Sequence, residues 1–334
     1  MKELFPFIKL LHPHRVWAFW GVAAGILTLL ASIGLLAVSG WFLSASAVAG
    51  LSLAAAPLFN FHTPSAGLRG FAVLRTVARY AERVISHEAT LRLLASLRVW
   101  FYKKIEPQAP ASLYRHRSGD LLSRIVTDID ILDSLFVRVL SPTIAALVVA
   151  AAVGGLLWWL APSLGLIFLF FFVLAGIVTP LLACCISRRI GAQIQKQQAV
   201  LRSNLMEDLQ GLADLTVYGA QHRHRYQRLA ESDRLLILQE KMAMISGGST
   251  ALLTLFGGLA ALFALYVAVP LAQSGYFSEP VLALIAFGVL AAFESIQPLP
   301  LAYQLLGTIQ TAAERLLEVS DAPLAVVFPA EPAS

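Results

Sequence analysis

Four long stretches of this sequence contain no charged residue: 16–38, 139–160, 163–186 and 242–272. Each is longer than the roughly 20 residues that an α-helix needs to cross the hydrocarbon core of a bilayer. Hydrophobic residues make up 58% of the chain and charged residues 13%, against about 45–50% and 25% in soluble domains. This composition excludes an ordinary soluble enzyme, a disordered protein and a coiled coil, and it predicts an all-α membrane protein.

Two further segments complete a predicted bundle of six spans. Residues 281–304 are mostly apolar, and their only charged residue is Glu294. Residues 51–87 are long enough to cross but carry an unusual amount of charge. With them, the six-span domain occupies residues 16–313.

The two ends of the chain differ from the spans. Residues 1–15 place apolar side chains at helical spacing beside Lys2 and Lys9, a pattern typical of a helix lying in the membrane interface. Residues 314–334 end in a segment rich in Pro and Ala. We interpret this segment as a linker that leads toward a further domain.

Positive charge fixes the expected orientation. Lys and Arg are dense in 92–138 and 188–241. The turns at 50–65, 161–163 and 272–280 contain neither residue. Positively charged loops remain on the cytoplasmic side of a membrane. Both termini and the two long stretches are therefore predicted to be cytoplasmic, and the sequence pI of about 9.4 records these loops rather than nucleic-acid binding.

The polar segments 88–138 and 187–241 are each about 50 residues long. Folded as paired helices, they would project roughly 35 Å beyond the bilayer. A channel or a simple anchor has little use for such extensions. They suit a protein that receives force or a signal from a cytoplasmic partner.

Several sequence motifs resemble those of known transporters. Arg117-Ser118-Gly119-Asp120-Leu121-Leu122-Ser123-Arg124, followed by Asp128-Ile129-Asp130, resembles the first intracellular loop of ABC exporters. Further strings, at 29–36 and 39–50, resemble the CydC family of bacterial ABC transporter subunits, as do the following shorter motifs: Gly67-x-Arg69-Gly70, Arg79-Tyr80-x-Glu82-Arg83-x-x-Ser86-His87 and Ala291-Ala292-Phe293-Glu294.

The resemblance implies a fold, a partner and a role. The fold is the six-helix transmembrane domain of a type I exporter (type IV transporter), and the partner is a related CydD-like subunit in a heterodimer. The role is ATP-driven movement or binding of haem, glutathione or cysteine at the bacterial inner membrane, in support of cytochrome bd assembly. Contact with the ATP-binding domain would fall on Arg117, Ser118, Gly119 and Asp120.

Members of this family continue into an ATP-binding domain. The sequence has no Gly-x-x-x-x-Gly-Lys-Ser/Thr loop to hold phosphates. We therefore expect that ATP and Mg²⁺ act only through a domain outside these residues, and that the chain alone does not hydrolyse ATP.

The charged second span is the strongest candidate for a binding site. A charge at mid-bilayer costs about 2.5–3.5 kcal/mol, so its arginines must face water or pair with acids. Arg75, Arg79, Arg83 and His87 are spaced four apart and form one slowly winding stripe. The candidate substrate-binding residues are Arg75, Arg79, Tyr80, Glu82, Arg83 and Glu294.

Two interpretations of the stripe stay open. The arginines either pair with Glu82, Glu88 and Glu294 and lock helices together, or they exceed the available acids and bind an anion in a shared cavity. Arg grips carboxylates with two parallel hydrogen bonds, which favours an anionic ligand.

His87 has two interpretations as well. It is either a hydrogen-bonded core histidine or an axial ligand to haem b, whose propionates would reach arginines one and two turns away. Glu294 lies just before Gln297, Pro298 and Pro300, where the helix is either a hinge beside the cavity or a passive kink.

Two other classes remain as alternatives. One is a haem-binding membrane protein that carries electrons or senses haem without transport. A single histidine within the spans counts against it, because typical sites of this kind use two. The other is an anion channel, since a basic stripe does not suit a cation pore.

Overall fold

The computed structural model describes residues 7, 12–51, 59–108 and 124–320, and all the regular structure in these residues is helical. Within these ranges, the α-helices are α1 Arg15–Gly50, α2 His62–Ile105, α3 Ile129–Ser134, α4 Ser141–Leu160, α5 Pro162–Gln210, α6 Leu212–Val217, α7 Gln221–Gln273, α8 Val281–Ala292 and α9 Leu299–Ser320. Short 3₁₀ segments lie at His12–His14, Glu106–Gln108 and Phe293–Ile296, and π-helical segments at Arg124–Asp128 and Leu135–Leu140. The prediction of an all-α fold is confirmed.

Five helical stretches of the described residues are long and apolar enough to cross a membrane. They are Arg15–Gly50, Val126–Leu160, Pro162–Gln210, Gln221–Gln273 and Val281–Ser320. The protein is therefore a multi-pass membrane protein.

The predicted second span, 51–87, is the exception. Its residues 52–58 lie outside the described residues, and the rest falls in the first part of α2. This 44-residue helix has too low a mean hydropathy and too many charges to be counted among the five apolar stretches. It nevertheless packs along α1 as one arm of a helical hairpin.

Several helices continue far beyond the apolar stretches that the sequence marks. α5 has 49 residues and α7 has 53, so each is about 75–80 Å long at 1.5 Å per residue. The two pack against each other and are joined at their polar ends by the short helix α6. The expectation of long polar helical extensions is thus confirmed for α5 and α7, and α2 likewise runs on to Ile105.

Glycines permit the close approach of α1 to its neighbours. A Cβ atom built on Gly34 would lie 2.7 Å from the Phe71 ring of α2, and one on Gly40 would lie 2.3 Å from the Phe287 ring of α8. Such close approaches are possible because the residues of α1 at these two positions have no side chain. Helix α1 is therefore held between α2 on one side and α8 on the other.

The buried apolar side chains form two clusters. The first joins α4, α5, α7 and α8 and includes Phe168, Phe172 and Phe293, whose rings pack within 6.4 Å of one another. The second joins the distal half of α2 to α3 and α9, through side chains such as Phe101 and Leu316. Each half of the long molecule therefore has its own core.

Phe7 belongs to the second cluster. Phe7 is the only residue of 1–11 that the structure describes, and its side chain is only 4% exposed against Trp100. The remainder of the predicted interfacial helix, 1–15, lies mostly outside the described residues. At the other end, α9 continues to Ser320, beyond the boundary expected at 313, and 321–334 lie outside the described residues.

The last span is interrupted where the sequence places Glu294 and its prolines. α8 ends at Ala292, a 3₁₀ segment follows over Phe293–Ile296, and α9 begins at Leu299. Proline removes an N–H donor and clashes with the preceding turn, which explains why the regular helix stops here. The break separates α8, in the first cluster, from most of α9, in the second.

Candidate anion-binding face of helix α2

Helix α2 is attached to α1 along one narrow face. A Cβ atom on Gly21 would lie 2.9 Å from Ser86 Oγ, and one on Gly25 would lie 3.5 Å from Glu82 Cγ. Ala78, on the same side, is buried. The glycines of α1 thus form a groove that holds α2 and fixes which of its side chains point away.

The basic stripe winds out of this groove. Residues four apart in a helix differ by about 40° in direction. Arg75 is partly buried near α1, whereas Arg79, Arg83 and His87 are exposed. The last three positions therefore lie together on an open surface, which we call the basic face of α2.

The other predicted site residues on α2 divide between the two sides. Glu82 is partly buried and packs its Cγ atom near Gly25 of α1. Tyr80 is 73% exposed. Tyr80 thus borders the open surface, while Glu82 belongs to the contact with α1.

Among the described residues, no ion pair shorter than 4.0 Å engages the arginines of the basic face. Glu88, one of the acids expected to neutralise them, is instead paired with Arg92, its Oε1 atom lying 2.6 Å from Arg92 Nε. Arg92 also lies 4.7 Å from the centre of the Trp17 ring. The guanidinium groups of Arg79 and Arg83 are therefore available to an anion.

Glu294 forms no ion pair with these residues in the part of the chain that the structure describes. Its side chain is exposed in the 3₁₀ segment, whereas its neighbours Phe293, Ser295 and Ile296 are buried. No ion pair of the described residues connects Glu294 to an arginine of α2. The structure thus brings Arg79, Arg83 and His87 together and does not join Glu294 to them.

The four residues expected to contact an ATP-binding domain, Arg117, Ser118, Gly119 and Asp120, lie outside the described residues. The chain that follows them is described from Arg124. There, Asp130 accepts a hydrogen bond of 3.0 Å from Arg98 of α2. This ion pair ties the start of α3 to the distal half of α2.

Sequence reasoning missed a polar cluster at the junction of α2 and α3. Asp133 is partly buried, and Thr90 of α2 is among the polar groups near its carboxylate. His87, Arg138 and Asp130 are close enough to act on it electrostatically. Its Oδ1 atom is buried and makes no hydrogen bond to any described residue. The Asp128-Ile129-Asp130 motif pointed to this segment but not to Asp133.

A second polar network, also missed, connects α5 and α7. Asp208 on α5 contacts His224 Nδ1 at 2.7 Å and Arg228 Nε at 3.2 Å. Arg228 also contacts Glu231 at 2.9 Å, and Glu231 accepts a hydrogen bond of 3.0 Å from Asn204. The only sequence signal was the presence of opposite charges on two long helices, which does not fix their pairing.

Comparison with known proteins agrees with this architecture. Residues 19–293 match the family described as the ABC transporter transmembrane region. The chain belongs to this family.

Within it, the chain is similar to the CydC proteins. It is 38% identical to the glutathione/L-cysteine transport system ATP-binding/permease protein CydC of Escherichia coli, over 98% of this chain and 57% of that protein. For CydC of Haemophilus influenzae the identity is 37%, over 98% and 56%. The chain thus spans a little over half the length of these relatives and corresponds to their N-terminal transmembrane part.

A more distant relative is a CydD protein. The CydD protein of the same transport system in Bacillus subtilis is 29% identical over 59% of this chain and 34% of that protein. The predicted resemblance to the CydC family is confirmed by these comparisons.

Proposed function

We propose that this chain is the membrane half of an ATP-driven exporter subunit, and that the basic face of α2 binds the carboxylates of an anionic molecule in the translocation path. The observation that supports this most directly is the exposure of Arg79, Arg83 and His87 without an ion-pair partner among the described residues. Three cationic or polar side chains in a membrane protein are costly to maintain unless a ligand or water meets them.

A second subunit would complete the site. Val73, Val77 and Val84 of α2 are 63%, 59% and 51% exposed, on the surface that points away from α1. Since CydC and CydD are names of one transport system, a CydD-like subunit is the proposed occupant of that surface. The two bundles would then enclose the basic face between them.

The proposed setting is the bacterial inner membrane, with both termini in the cytoplasm. The long α5–α7 pair and the residues around Arg117–Asp120 would then receive motion from the ATP-binding domains. Binding and hydrolysis of ATP there would change which side of the membrane the basic face opens to.

The names of the relatives and the chemistry of the face suggest two cargo classes. The relatives are named for glutathione and L-cysteine, and glutathione carries carboxylates that suit guanidinium groups. Haem b carries two propionates and needs an imidazole ligand. His87 and the arginines one and two turns before it fit haem as donors, so we propose haem as cargo or bound regulator, in support of cytochrome bd assembly.

The haem proposal is tested by absorption spectroscopy. Hemin is titrated into the full chain purified together with a CydD-like subunit, with wild type, His87→Ala and His62→Ala in parallel. His62 is the matched control, since it lies exposed at the other end of α2. We expect a Soret band that His87→Ala removes and His62→Ala retains. No band, or a band unaffected by His87→Ala, would contradict haem ligation.

The proposal that glutathione binds to the basic face is tested with arginine variants. Binding of radiolabelled glutathione to the same complex is measured for wild type, Arg79→Ala and Arg234→Ala, because Arg234 is an exposed arginine in the polar first part of α7. We expect Arg79→Ala to weaken binding at least tenfold and Arg234→Ala to leave it unchanged. Equal binding by all three proteins would show that the basic face does not hold the peptide.

A further inference from the structure

Thr179 is a buried polar residue in the apolar stretch of α5. It is 1% exposed, and its Oγ1 atom has no hydrogen-bond partner among the described residues. A buried hydroxyl without a partner is destabilising, because it has lost its hydrogen bonds to water and gained none in return. Such groups are rare in native proteins, so the Thr179 hydroxyl needs an explanation.

Threonines elsewhere in the long helices show how such a hydroxyl is usually satisfied. The Thr28 hydroxyl in α1 donates to the carbonyl oxygen four residues earlier at 2.9 Å, and the Thr254 hydroxyl in α7 does the same at 2.9 Å. Thr179 makes no bond of this kind to the backbone of α5. Its hydroxyl is therefore left for a partner outside the regular helix.

The next residue, Pro180, deprives the same turn of α5 of a backbone hydrogen bond. Proline has no N–H, so the carbonyl oxygen of Gly176, four residues earlier, lacks its regular helical donor. Gly176 and Thr179 are three residues apart and lie on one side of the helix. Pro180 is itself buried and lies within the uncharged stretch 163–186. An acceptor without its helical donor and a hydroxyl without a partner thus share one turn inside the bundle.

This turn lies beside the interruption of the last span. A Cβ atom on Gly176 would be 3.8 Å from Ile296 Cγ2, in the 3₁₀ segment between α8 and α9. α5 also packs along α9, and Leu299 at the start of α9 is buried. The proline of α5 and the break before α9 are therefore neighbours, and two spans lose their regular helical bonding at the same place.

From these observations we infer that Thr179 and Gly176 bind an internal water molecule, which makes Pro180 a hydrated hinge of α5. A buried water needs about 2–4 polar partners. Here it accepts the hydroxyl proton of Thr179 and donates to the carbonyl oxygen of Gly176. Membrane helices tolerate proline where ordered water satisfies the freed backbone group, so α5 can bend at this turn without leaving that group unpaired. The water does not depend on which cargo the basic face binds.

Hydroxyl-radical footprinting detects the water directly, because radicals formed by X-ray radiolysis of a bound water oxidise adjacent side chains even when these are buried. Wild type, Thr179→Val and Thr28→Val of the full chain are irradiated in detergent, and oxidation of Pro180 is read by mass spectrometry. Thr28 is the matched control, since it is a buried threonine whose hydroxyl bonds within its own helix. We expect Pro180 to be oxidised in wild type and in Thr28→Val, and Thr179→Val to lose most of this oxidation. An unoxidised Pro180 in wild type, or equal oxidation in Thr179→Val, would overturn the inference.

A double-mutant cycle gives an independent measurement. Pro180→Ala returns an N–H donor to the Gly176 carbonyl, which then no longer needs a water. We expect Thr179→Val to lower the melting temperature of wild type, and to lower it less, or to raise it, in the Pro180→Ala protein, because residues that share a partner are not additive. An unchanged wild-type melting temperature, or an equal or larger loss in the Pro180→Ala protein, would show that the two groups share no water.

Discussion

At the scale of single residues, glycines decide how closely the helices approach. Gly165 lies in the first turn of α5, where an added Cβ atom would be 2.8 Å from Trp158 Cα and 2.9 Å from its backbone nitrogen. Backbone atoms cannot move aside as a flexible side chain can. Gly155, in the same pair of helices, has no atom within 4 Å of such a Cβ.

These two glycines give a matched prediction. We expect Gly165→Ala to lower stability by about 1–3 kcal/mol, because overpacking forces the backbone apart, and Gly155→Ala to leave it unchanged or slightly raised. Thermal unfolding of the two variants in the same detergent measures the difference. Equal melting temperatures would show that the turn adapts.

Phe7 gives a second prediction at this scale. Its ring is 5.4 Å from that of Trp100 at 77° and is almost completely buried. We expect Phe7→Ala to destabilise the protein by about 3 kcal/mol and to expose the N-terminal segment to protease. Phe19→Ala is the control, because Phe19 is 65% exposed on α1. Resistance of Phe7→Ala to cleavage before residue 15 would show that the contact of Phe7 with Trp100 does not protect this part of the chain.

At the scale of elements, the polar network between α5 and α7 holds the distal ends of the two longest helices together. Arg228 is its centre, since it contacts both Asp208 and Glu231 with a side chain only 17% exposed. Removing one partner from a partly buried group of charges leaves the others unpaired. The cost of such a loss is about 1–3 kcal/mol.

Arg228→Met should therefore loosen the ends of α5 and α7. We expect faster hydrogen exchange over residues 200–230 and slower or unchanged exchange in the apolar spans. Arg225→Met serves as the control, because Arg225 is exposed and one turn away. Similar exchange in the two variants would mean that apolar contacts alone hold the pair.

At the scale of the whole molecule, the position of the bilayer determines which surfaces meet water on each side. The α5–α7 tip ends near Tyr218, which is 83% exposed, and the turn after α7 carries Tyr276, which is 63% exposed. The positive-inside rule predicts that the first lies in the cytoplasm and the second outside.

A labelling experiment tests this placement. Cys184 and Cys185 are first replaced by Ser, and Tyr218→Cys and Tyr276→Cys are then introduced separately. We expect a membrane-impermeant maleimide to label only Tyr276→Cys in intact cells with a permeabilised outer membrane, and both variants after the inner membrane is opened. Labelling of Tyr218→Cys before that step would reverse the proposed orientation.

Much of the architecture follows from the sequence. Uncharged runs such as 139–160 and 163–186 can satisfy their backbone only as helices in a bilayer, and the prolines after Glu294 predicted the break in the last span. The four-residue spacing of Arg79, Arg83 and His87 likewise fixed that they share one side of α2. These features depend on local composition and helical periodicity, which a linear sequence contains in full.

Only the tertiary structure decided which polar groups meet. Arg98 of α2 donates a hydrogen bond to Asp130 of α3, and Arg228 of α7 contacts Asp208 of α5. Such contacts depend on how α3 packs against α2 and how α5 packs against α7. Pairing between distant helices is a property of packing, and the sequence pattern of each helix taken alone does not determine it.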